Sequence, residues 1–374
     1  MKLTILTGDA LTKLRELPDE SVQCCVTSPP FYGLRDYGAC QCAMKRLVHP
    51  PGTIFGSAPG QAPAGPKLPD PNCHICLGSG KIKGVSDAQL GLEKTPEEYV
   101  EKMVGVFREV RRVLRKDGTL WLNLGDSYTS GGRGGGGSFA NERPGWNGVP
   151  SEFGKKRGIP GLKDKDLIGI PWMVAFALRA DGWWLRQDII WSKPNPMPES
   201  VTDRCTKSHE YLFLLTKSAR YFYDAEAIKE RSGDWHESIP GREGGPGQNR
   251  RQVRVPAGWD TGSGAHGTIH RNGREKEITW SEIRNNRNKR SVWTFATAPY
   301  PDAHFATYPP DLIKPCVLAG SKPGDTILDP FGGSGTTGMV ALELGRKAIV
   351  IELNPKYVEL IKRRCDVTMG LALA

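Results

Sequence analysis

Residues 326–338 read TILDPFGGSGTTG, and this stretch decides the fold. The residues at its start predict a strand, and the glycines that follow predict a tight turn into a helix that Gly345 closes. Residues 347–351 predict the next strand, which leads into Glu352. A strand, a glycine turn, a helix and a second strand with a terminal acid form a nucleotide-type βαβ unit, in which the acid is placed for ribose hydroxyls. The sequence therefore predicts an α/β fold.

The glycine pattern Gly333-x-Gly335-x-x-Gly338 matches the dinucleotide-binding fingerprint, so an NAD-dependent enzyme is one alternative. Asp329 and Phe331 argue against it, because a pyrophosphate at the mouth of this loop would meet a carboxylate. The unit also lies late in the sequence rather than early. An acid at the loop instead suits a cofactor that carries a cationic or amino end.

A second informative stretch is TSPPFY at 27–32, which follows the apolar run 22–26. The run predicts a short buried strand, and the two prolines then impose an extended backbone without N–H donors. What remains is a rim of acceptors, among them the Ser28 hydroxyl, with two aromatic faces beside it. Such a rim suits a flat ligand with an amino group and a π surface, as a nucleobase has. The alternative is a proline-rich turn whose aromatic rings cap the core.

The rest of the chain predicts further α/β elements. Residues 3–7 predict a strand, and Asp9 opens the next helix as its N-cap or holds a hydroxyl or amino group of a ligand. Thr95 begins a capping signal for an amphipathic helix through about Leu114, and a turn follows at Asp117-Gly118. The remaining predicted elements are a helix over 170–179 and strands over 119–124, 185–191 and 210–216.

The cysteines predict a metal site. A Cys40-x-Cys42 pair and a distant Cys73-x-x-Cys76 pair, with glycines after the second, have the ligand count and turn chemistry of a closed tetrahedral zinc site. We therefore predict structural Zn²⁺ in an insertion over 39–84, with free thiols or a redox pair as the alternatives. Four cysteine ligands leave no open coordination position, so no catalysis is expected there.

Composition bounds the partners. The 374 residues carry a net charge of +10, which favours a polyanionic partner. No segment approaches the roughly 18 unbroken apolar residues of a membrane span. The first ten residues show no signal-peptide cleavage pattern, so we expect a cytoplasmic, nucleoid-associated protein with reduced thiols.

The region 229–290 differs in composition from the rest of the chain. It combines ten arginines with three tryptophans and several Asn, Gln and His, and its apolar periodicity is weak. Arginine, planar amides and aromatic rings are the side chains that read base edges and hold phosphates. We interpret the region as a nucleic-acid contact, and the alternative is a solvated insertion.

Two motifs together resemble those of a known family. The segment Ser28-Pro29-Pro30-Phe31 resembles motif IV, and residues 329–335 resemble motif I, of the S-adenosylmethionine-dependent DNA amino-methyltransferases. Motif IV first, a recognition region between and motif I last resembles the permuted β class. The resemblance implies a Rossmann-like α/β methyltransferase fold with a circularly permuted motif order, a four-cysteine insertion and an irregular DNA-recognition region. The implied domains are a catalytic part over 1–38 and 85–228, the zinc insertion over 39–84, target recognition over 229–290 and a cofactor-binding part over 291–374.

The resemblance also implies the site residues. Those implied for catalysis are Ser28, Pro29, Pro30 and Phe31. Those implied for S-adenosylmethionine are Asp9, Ala10, His304, Phe305, Ala306, Thr307, Pro309, Asp329, Phe331, Gly333, Gly335, Thr336, Thr337 and Glu352, where 304–309 resembles motif X. The residues assigned to double-stranded DNA are Arg35, Lys193, Arg250, Arg251, Arg254, Arg271, Arg274 and Arg287.

The expected reaction is methyl transfer to a flipped base. The base would stack on Phe31, with Tyr32 as the lesser candidate, and its amino group would donate to Ser28 Oγ and the Pro29 carbonyl. Adenine N6 is favoured over cytosine N4, although a serine at the first motif position favours N4 in the family pattern. A homodimer is expected by class analogy. The rival from another class is a DNA-binding zinc protein without transferase activity.

Overall fold

The computed structural model describes residues 2–33, 89–129, 161–231, 286–297 and 308–372, together with Ile159 and two-residue strands at Lys45–Arg46 and Lys67–Leu68. The chain divides into two compact units. The first comprises Met1–Asp224 and Ser291–Ala374, and the second comprises Ala225–Arg290. The second unit spans the region that the sequence assigns to target recognition.

The first unit is built on an eight-stranded sheet in the order β1-β8-β7-β2-β3-β5-β4-β6. β5 runs antiparallel to both of its neighbours, and every other adjacent pair is parallel. All strands except β5 therefore end at one edge of the sheet, which we call the carboxyl edge. The strands are β1 (Leu3–Thr7), β2 (Val22–Thr27), β3 (Leu114–Leu124), β4 (Trp184–Ser192), β5 (His209–Thr216), β6 (Val292–Thr294), β7 (Thr326–Asp329) and β8 (Lys347–Glu352).

In the described part of the chain, six α-helices cover the sheet on both faces. Every residue of β2 is buried, as expected of a central strand in such a sandwich. Successive residues of β2 point to opposite faces: Cys25 joins the core formed with the first three helices, whereas Cys24 faces Gly320 of the fourth. The helices are α1 (Ala10–Arg15), α2 (Pro96–Val113), α3 (Ile170–Ala180), α4 (Pro310–Gly320), α5 (Thr336–Glu343) and α6 (Pro355–Ala372).

Most predicted elements form where the periodicity placed them. Thr95 caps α2 by accepting from the Glu98 N–H at 3.2 Å, and Asp9 caps α1 by accepting from the Thr12 N–H at 2.8 Å. The predicted turn at Asp117-Gly118 is wrong, because these residues form a bulge within the longer β3, whose pairing with β2 resumes at Thr119. Helices α4 and α6 were not expected from the sequence. Among the described residues, no helix has the length and apolar character needed to cross a bilayer.

Candidate active site

The two motif segments leave the sheet side by side. β2 and β7 are neighbours in parallel register, with Cys24 opposite Ile327 and Cys25 opposite Leu328. One step further, the Thr27 hydroxyl donates to Asp329 Oδ1 at 2.6 Å. The serine–proline segment and the glycine loop therefore begin at adjacent points of the carboxyl edge, although about 300 residues separate Thr27 from Asp329.

Asp329 lies beneath the start of the glycine loop rather than in its open mouth. Its side chain has no exposed surface, and its two oxygens accept from the Phe331 N–H at 3.0 Å and the Tyr308 hydroxyl at 2.9 Å. Burial raises the pKa of the Asp329 carboxyl despite these donors, and burial together with Asp329 raises the pKa of Tyr308 well above its ordinary value. The carboxyl thus ties β2, β7 and the segment before α4 together.

The glycines of the loop are needed for different physical reasons. A Cβ on Gly332 would lie 2.2 Å from Val350 Cγ1, so close packing against β8 requires glycine there. Gly333 has φ +52°, and the nearest atom to a Cβ there would be the Phe331 carbonyl oxygen at 3.9 Å, so the space beside it is not crowded. Gly335 has φ +80° at the start of α5. From α6, the Arg364 guanidinium donates to Ser334 Oγ at 2.9 Å and holds the loop from behind. The exposed side of Gly333 is where a ligand can approach the backbone.

Glu352 closes this half of the edge. Its two carboxylate oxygens accept from the Gly333 N–H and the Asn354 N–H, each at 2.7 Å. Burial raises the pKa of Glu352 to about 7, although these N–H donors act in the opposite direction. The Glu352 carbonyl accepts from the Gly8 N–H at 2.9 Å, so the turn that contains Asp9 lies next to it.

On the other side of β2, a chain of polar side chains begins at Ser28. The Ser28 hydroxyl donates to Asn123 Oδ1 at 3.0 Å. The Asn123 amide nitrogen donates to Glu210 Oε2 and to the Tyr211 carbonyl, both at 3.1 Å. The Glu210 carboxylate is paired with the Lys193 ammonium. These residues come from β2, β3, β5 and the end of β4, and the sheet brings them together at the carboxyl edge.

The aromatic residues of the segment separate into two environments. Tyr32 is buried and its ring lies 5.7 Å from that of Tyr99, so the expectation that Tyr32 flanks the rim is wrong: it is a core residue. Phe31 is half-buried and packs over Gly125, where a Cβ would lie 2.5 Å from the Phe31 ring. Among the described residues, no donor contacts the carbonyl of Pro29.

Several predicted site residues lie outside the described part of the chain. Pro309 is described, as the buried residue that precedes α4. Arg287, in the second unit, donates to Glu230 Oε1 at 2.9 Å. Within the described ranges, no group of His, Cys, Asp and Glu side chains could hold a metal ion. Predicted residues outside those ranges are Arg35, Cys40, Cys42, Cys73, Cys76, Arg250, Arg251, Arg254, Arg271, Arg274, His304, Phe305, Ala306 and Thr307.

Sequence reasoning missed four residues that shape the edge: Asn123, Glu210, Tyr308 and Arg364. Asn123 had a usable signal, since an amide in the middle of the apolar run LWLNL is a buried polar group that needs partners. Glu210 and Arg364 act through contacts between elements distant in sequence, and no local pattern announces them.

Comparison with known proteins places the chain among enzymes that modify DNA. The model of a family described as DNA methylase, covering N6 and N4 methyltransferases, matches residues 22–363. The type II methyltransferase M.Cfr9I of Citrobacter freundii is 40% identical over 362 residues, which cover 96% of this chain and 87% of that protein. M.SmaI of Serratia marcescens is 38% identical, with 96% and 89% covered.

A solved structure supports the fold independently. The PvuII DNA methyltransferase, titled as cytosine-N4-specific, superposes with a TM-score of 0.53 at 16% identity, covering 99% of this chain and 91% of that one. At that identity the likeness concerns the fold alone. The family match removes the NAD-dependent alternative that Gly333-x-Gly335-x-x-Gly338 had left open.

Proposed function

The chain belongs to the DNA methylase family, the S-adenosylmethionine-dependent DNA amino-methyltransferases, and it is a site-specific DNA methyltransferase. From that premise we propose that it methylates the exocyclic amino group of a base flipped out of duplex DNA, with the carboxyl ends of β2 and β7 as the two halves of its active site. The observation that carries this proposal is the Thr27–Asp329 hydrogen bond, which holds the serine–proline segment beside the glycine loop.

The residues on the β7 side fit S-adenosylmethionine. The uncrowded side of Gly333, where the nearest atom to a Cβ would be 3.9 Å away, would admit a ligand against the backbone. The Glu352 carboxylate beside it suits ribose hydroxyls. Asp9 and Ala10, on the turn next to Glu352, would lie near the adenine. When bound, the cofactor supplies a methyl group already activated by its sulfonium, so the protein needs no covalent nucleophile.

On the β2 side, the protein positions the amino group. The Ser28 hydroxyl donates its hydrogen bond to Asn123, which leaves the Oγ lone pairs free to accept from a base N–H. The second N–H would donate to the Pro29 carbonyl, and the base would stack on Phe31. Two acceptors on one amino group draw the nitrogen lone pair out of conjugation and direct it toward the methyl group. Most of the rate gain is then positioning.

Adenine N6 and cytosine N4 remain the two candidate targets. An uncharged serine accepts from either amino group, so Ser28 does not discriminate by chemistry. Adenine follows from the class resemblance, and cytosine from the serine at the first motif position. Mass analysis of nucleosides from DNA methylated in vitro decides between N6-methyladenine and N4-methylcytosine.

The proposal includes a structural zinc ion held by Cys40, Cys42, Cys73 and Cys76, which rests on their spacing alone. We expect about one zinc per chain by elemental analysis of purified protein. Cys73→Ser should lose it, and the exposed Cys205 provides the matched control, Cys205→Ser, which should retain it. A metal-free wild-type protein with intact methyl transfer would remove zinc from the proposal. Sedimentation would test the homodimer, which rests on class analogy.

The primary experiment is a filter assay with tritiated S-adenosylmethionine and mixed-sequence duplex DNA. The proposal expects label on the DNA that depends on enzyme and sequence. A DNA-binding protein with a vestigial cofactor pocket would instead transfer no label and would bind DNA equally with or without the cofactor. That outcome would defeat the assignment.

A further inference from the structure

An ion pair lies behind the proposed target-base site, and the reaction as described does not use it. Glu210 and Lys193 leave only 17% of each side chain exposed, and the Lys193 ammonium also lies 4.3 Å from the centre of the Trp191 ring. We infer that Glu210, held by Lys193, is a positioning residue that acts on the base through Asn123 and Ser28. The inference rests on the proposed function.

The partners of the Asn123 amide fix its orientation. Its nitrogen has two acceptors, Glu210 Oε2 and the Tyr211 carbonyl, while its oxygen faces the Ser28 hydroxyl. A flipped amide would set its oxygen against two other acceptors and its NH₂ against Ser28. Glu210 therefore fixes which end of the amide meets Ser28, and this determines where the Ser28 proton points.

The hydrogen bonds from the base to Glu210 all run in the same direction. A base N–H would donate to Ser28, Ser28 donates to Asn123, and Asn123 donates to Glu210. Every donor points the same way and the last acceptor is an anion, so each hydrogen bond polarises the next. Positive charge that develops on the amino nitrogen during methyl transfer is therefore stabilised through the chain. Asn123 cannot accept the proton as a carboxylate could, so the effect is polarisation rather than proton transfer. As the S–CH₃ bond breaks and the N–CH₃ bond forms, the proton that the methylated nitrogen then loses would pass to water.

The Lys193 ammonium holds the Glu210 carboxylate. A largely buried carboxylate without a cation is costly, and it would turn toward water. The ammonium holds Glu210 in place, with one oxygen on Lys193 and the other on Asn123. Lys193 was assigned to DNA from the sequence, and its contacts give it this inward role.

The test uses Glu210→Gln, which keeps an acceptor for Asn123 but sets its NH₂ group near the Lys193 ammonium. With saturating DNA and S-adenosylmethionine, the single-turnover rate constant should fall by about 10- to 100-fold, in line with small misplacements at reacting centres. Dissociation constants for S-adenosylmethionine and DNA should stay within about threefold, and Glu210→Asp should recover part of the rate. The matched control is Asp181→Asn, which neutralises the partner of Arg108 near the opposite edge of the sheet and should stay within about twofold.

A structural role and a positioning role differ in the Ser28→Ala background. If Glu210 acts through Ser28, adding Glu210→Gln to Ser28→Ala should leave the residual rate unchanged. Independent losses that multiply, or a loss of rate matched by a loss of cofactor binding, would overturn the inference, as would a wild-type rate in Glu210→Gln. If the unmodified protein transfers no methyl, the proposed function itself fails and this inference falls with it.

Discussion

The two sides of the Thr27–Asp329 hydrogen bond handle charge in opposite ways. On the β7 side, the Glu352 carboxyl lies beside the glycine loop and the Asp329 carboxyl is buried beneath it. The only described partners of the two carboxyls are N–H groups and hydroxyls. On the β2 side, the residue at the site is the neutral Ser28. The carboxylate that it reaches through Asn123 is Glu210, two hydrogen bonds away and paired with Lys193.

The difference fits what each side would bind in the proposed function. A cofactor with a cationic sulfonium and donor hydroxyls suits carboxyls whose burial has raised their pKa, because binding supplies the donors that burial removed. A neutral base amino group needs an acceptor whose own O–H points away from it. A serine with its proton directed elsewhere meets that need without placing an unpaired charge near the base.

The largest effect on the rate of methyl transfer is expected from substitutions on the β2 side. Ser28→Ala removes the acceptor and should lower the single-turnover rate of methyl transfer by at least about 100-fold, while equilibrium binding of S-adenosylmethionine stays within about threefold. Phe31→Ala should act in the same way through loss of stacking. The matched control Ser21→Ala removes an exposed serine that caps only the Pro18 carbonyl, and it should leave the rate unchanged. Loss of cofactor binding in Ser28→Ala would show that the two sides are not separable.

An intermediate effect separates two glycines on the β7 side. Gly332→Ala forces a Cβ toward Val350 and should lower the free energy of unfolding by about 1–3 kcal/mol. Gly333→Ala meets no atom close by but holds φ at +52°, so it should cost about 1–2 kcal/mol in stability and weaken cofactor binding besides. Denaturant unfolding and cofactor titration of both variants measure the contrast. Equal cofactor affinity in the two variants would contradict the open approach at Gly333.

The smallest effect is a pH dependence confined to Glu352. Burial raises its pKa to about 7, and ribose hydroxyls would bond to the ionised form, so S-adenosylmethionine affinity should fall about tenfold from pH 8 to pH 6. Because the folded pKa is raised, Glu352 also lowers the free energy of unfolding as pH rises from about 4.5 to about 7, and its contribution is constant above that.

Glu352→Gln is the control for this dependence, since it keeps the shape and cannot titrate. Calorimetric titration with S-adenosylmethionine across pH 6–8 gives the pH dependence of affinity for each protein. The difference between the two profiles isolates the contribution of Glu352, because the cofactor's own titration is common to both. Parallel pH profiles for wild type and Glu352→Gln would mean that another group governs the dependence.

The sequence predicted the parts of the fold that are written locally. The glycine loop and the strands on either side of it have clear periodic signals, as does α2 with its Thr95 cap. The adjacency of β2 and β7 was not predicted, because no local pattern encodes which strands pair. Glu210 and Arg364 were missed for the same reason: their roles depend on side chains from other elements, which meet only after the sheet assembles.

The parallel pairing of β1 with β8 has a consequence for how such an enzyme can be encoded. Leu6 lies opposite Ile351, and the Ala348 N–H donates to the Lys2 carbonyl at 3.0 Å, so the first strand of the chain lies beside the last. A gene rewritten so that α6 runs through a linker into β1, and opened ahead of α4, would translate the glycine loop before the serine–proline segment. It would still assemble the same neighbours. The geometry of the site depends on which strands are neighbours in the sheet and not on the order in which they are synthesised.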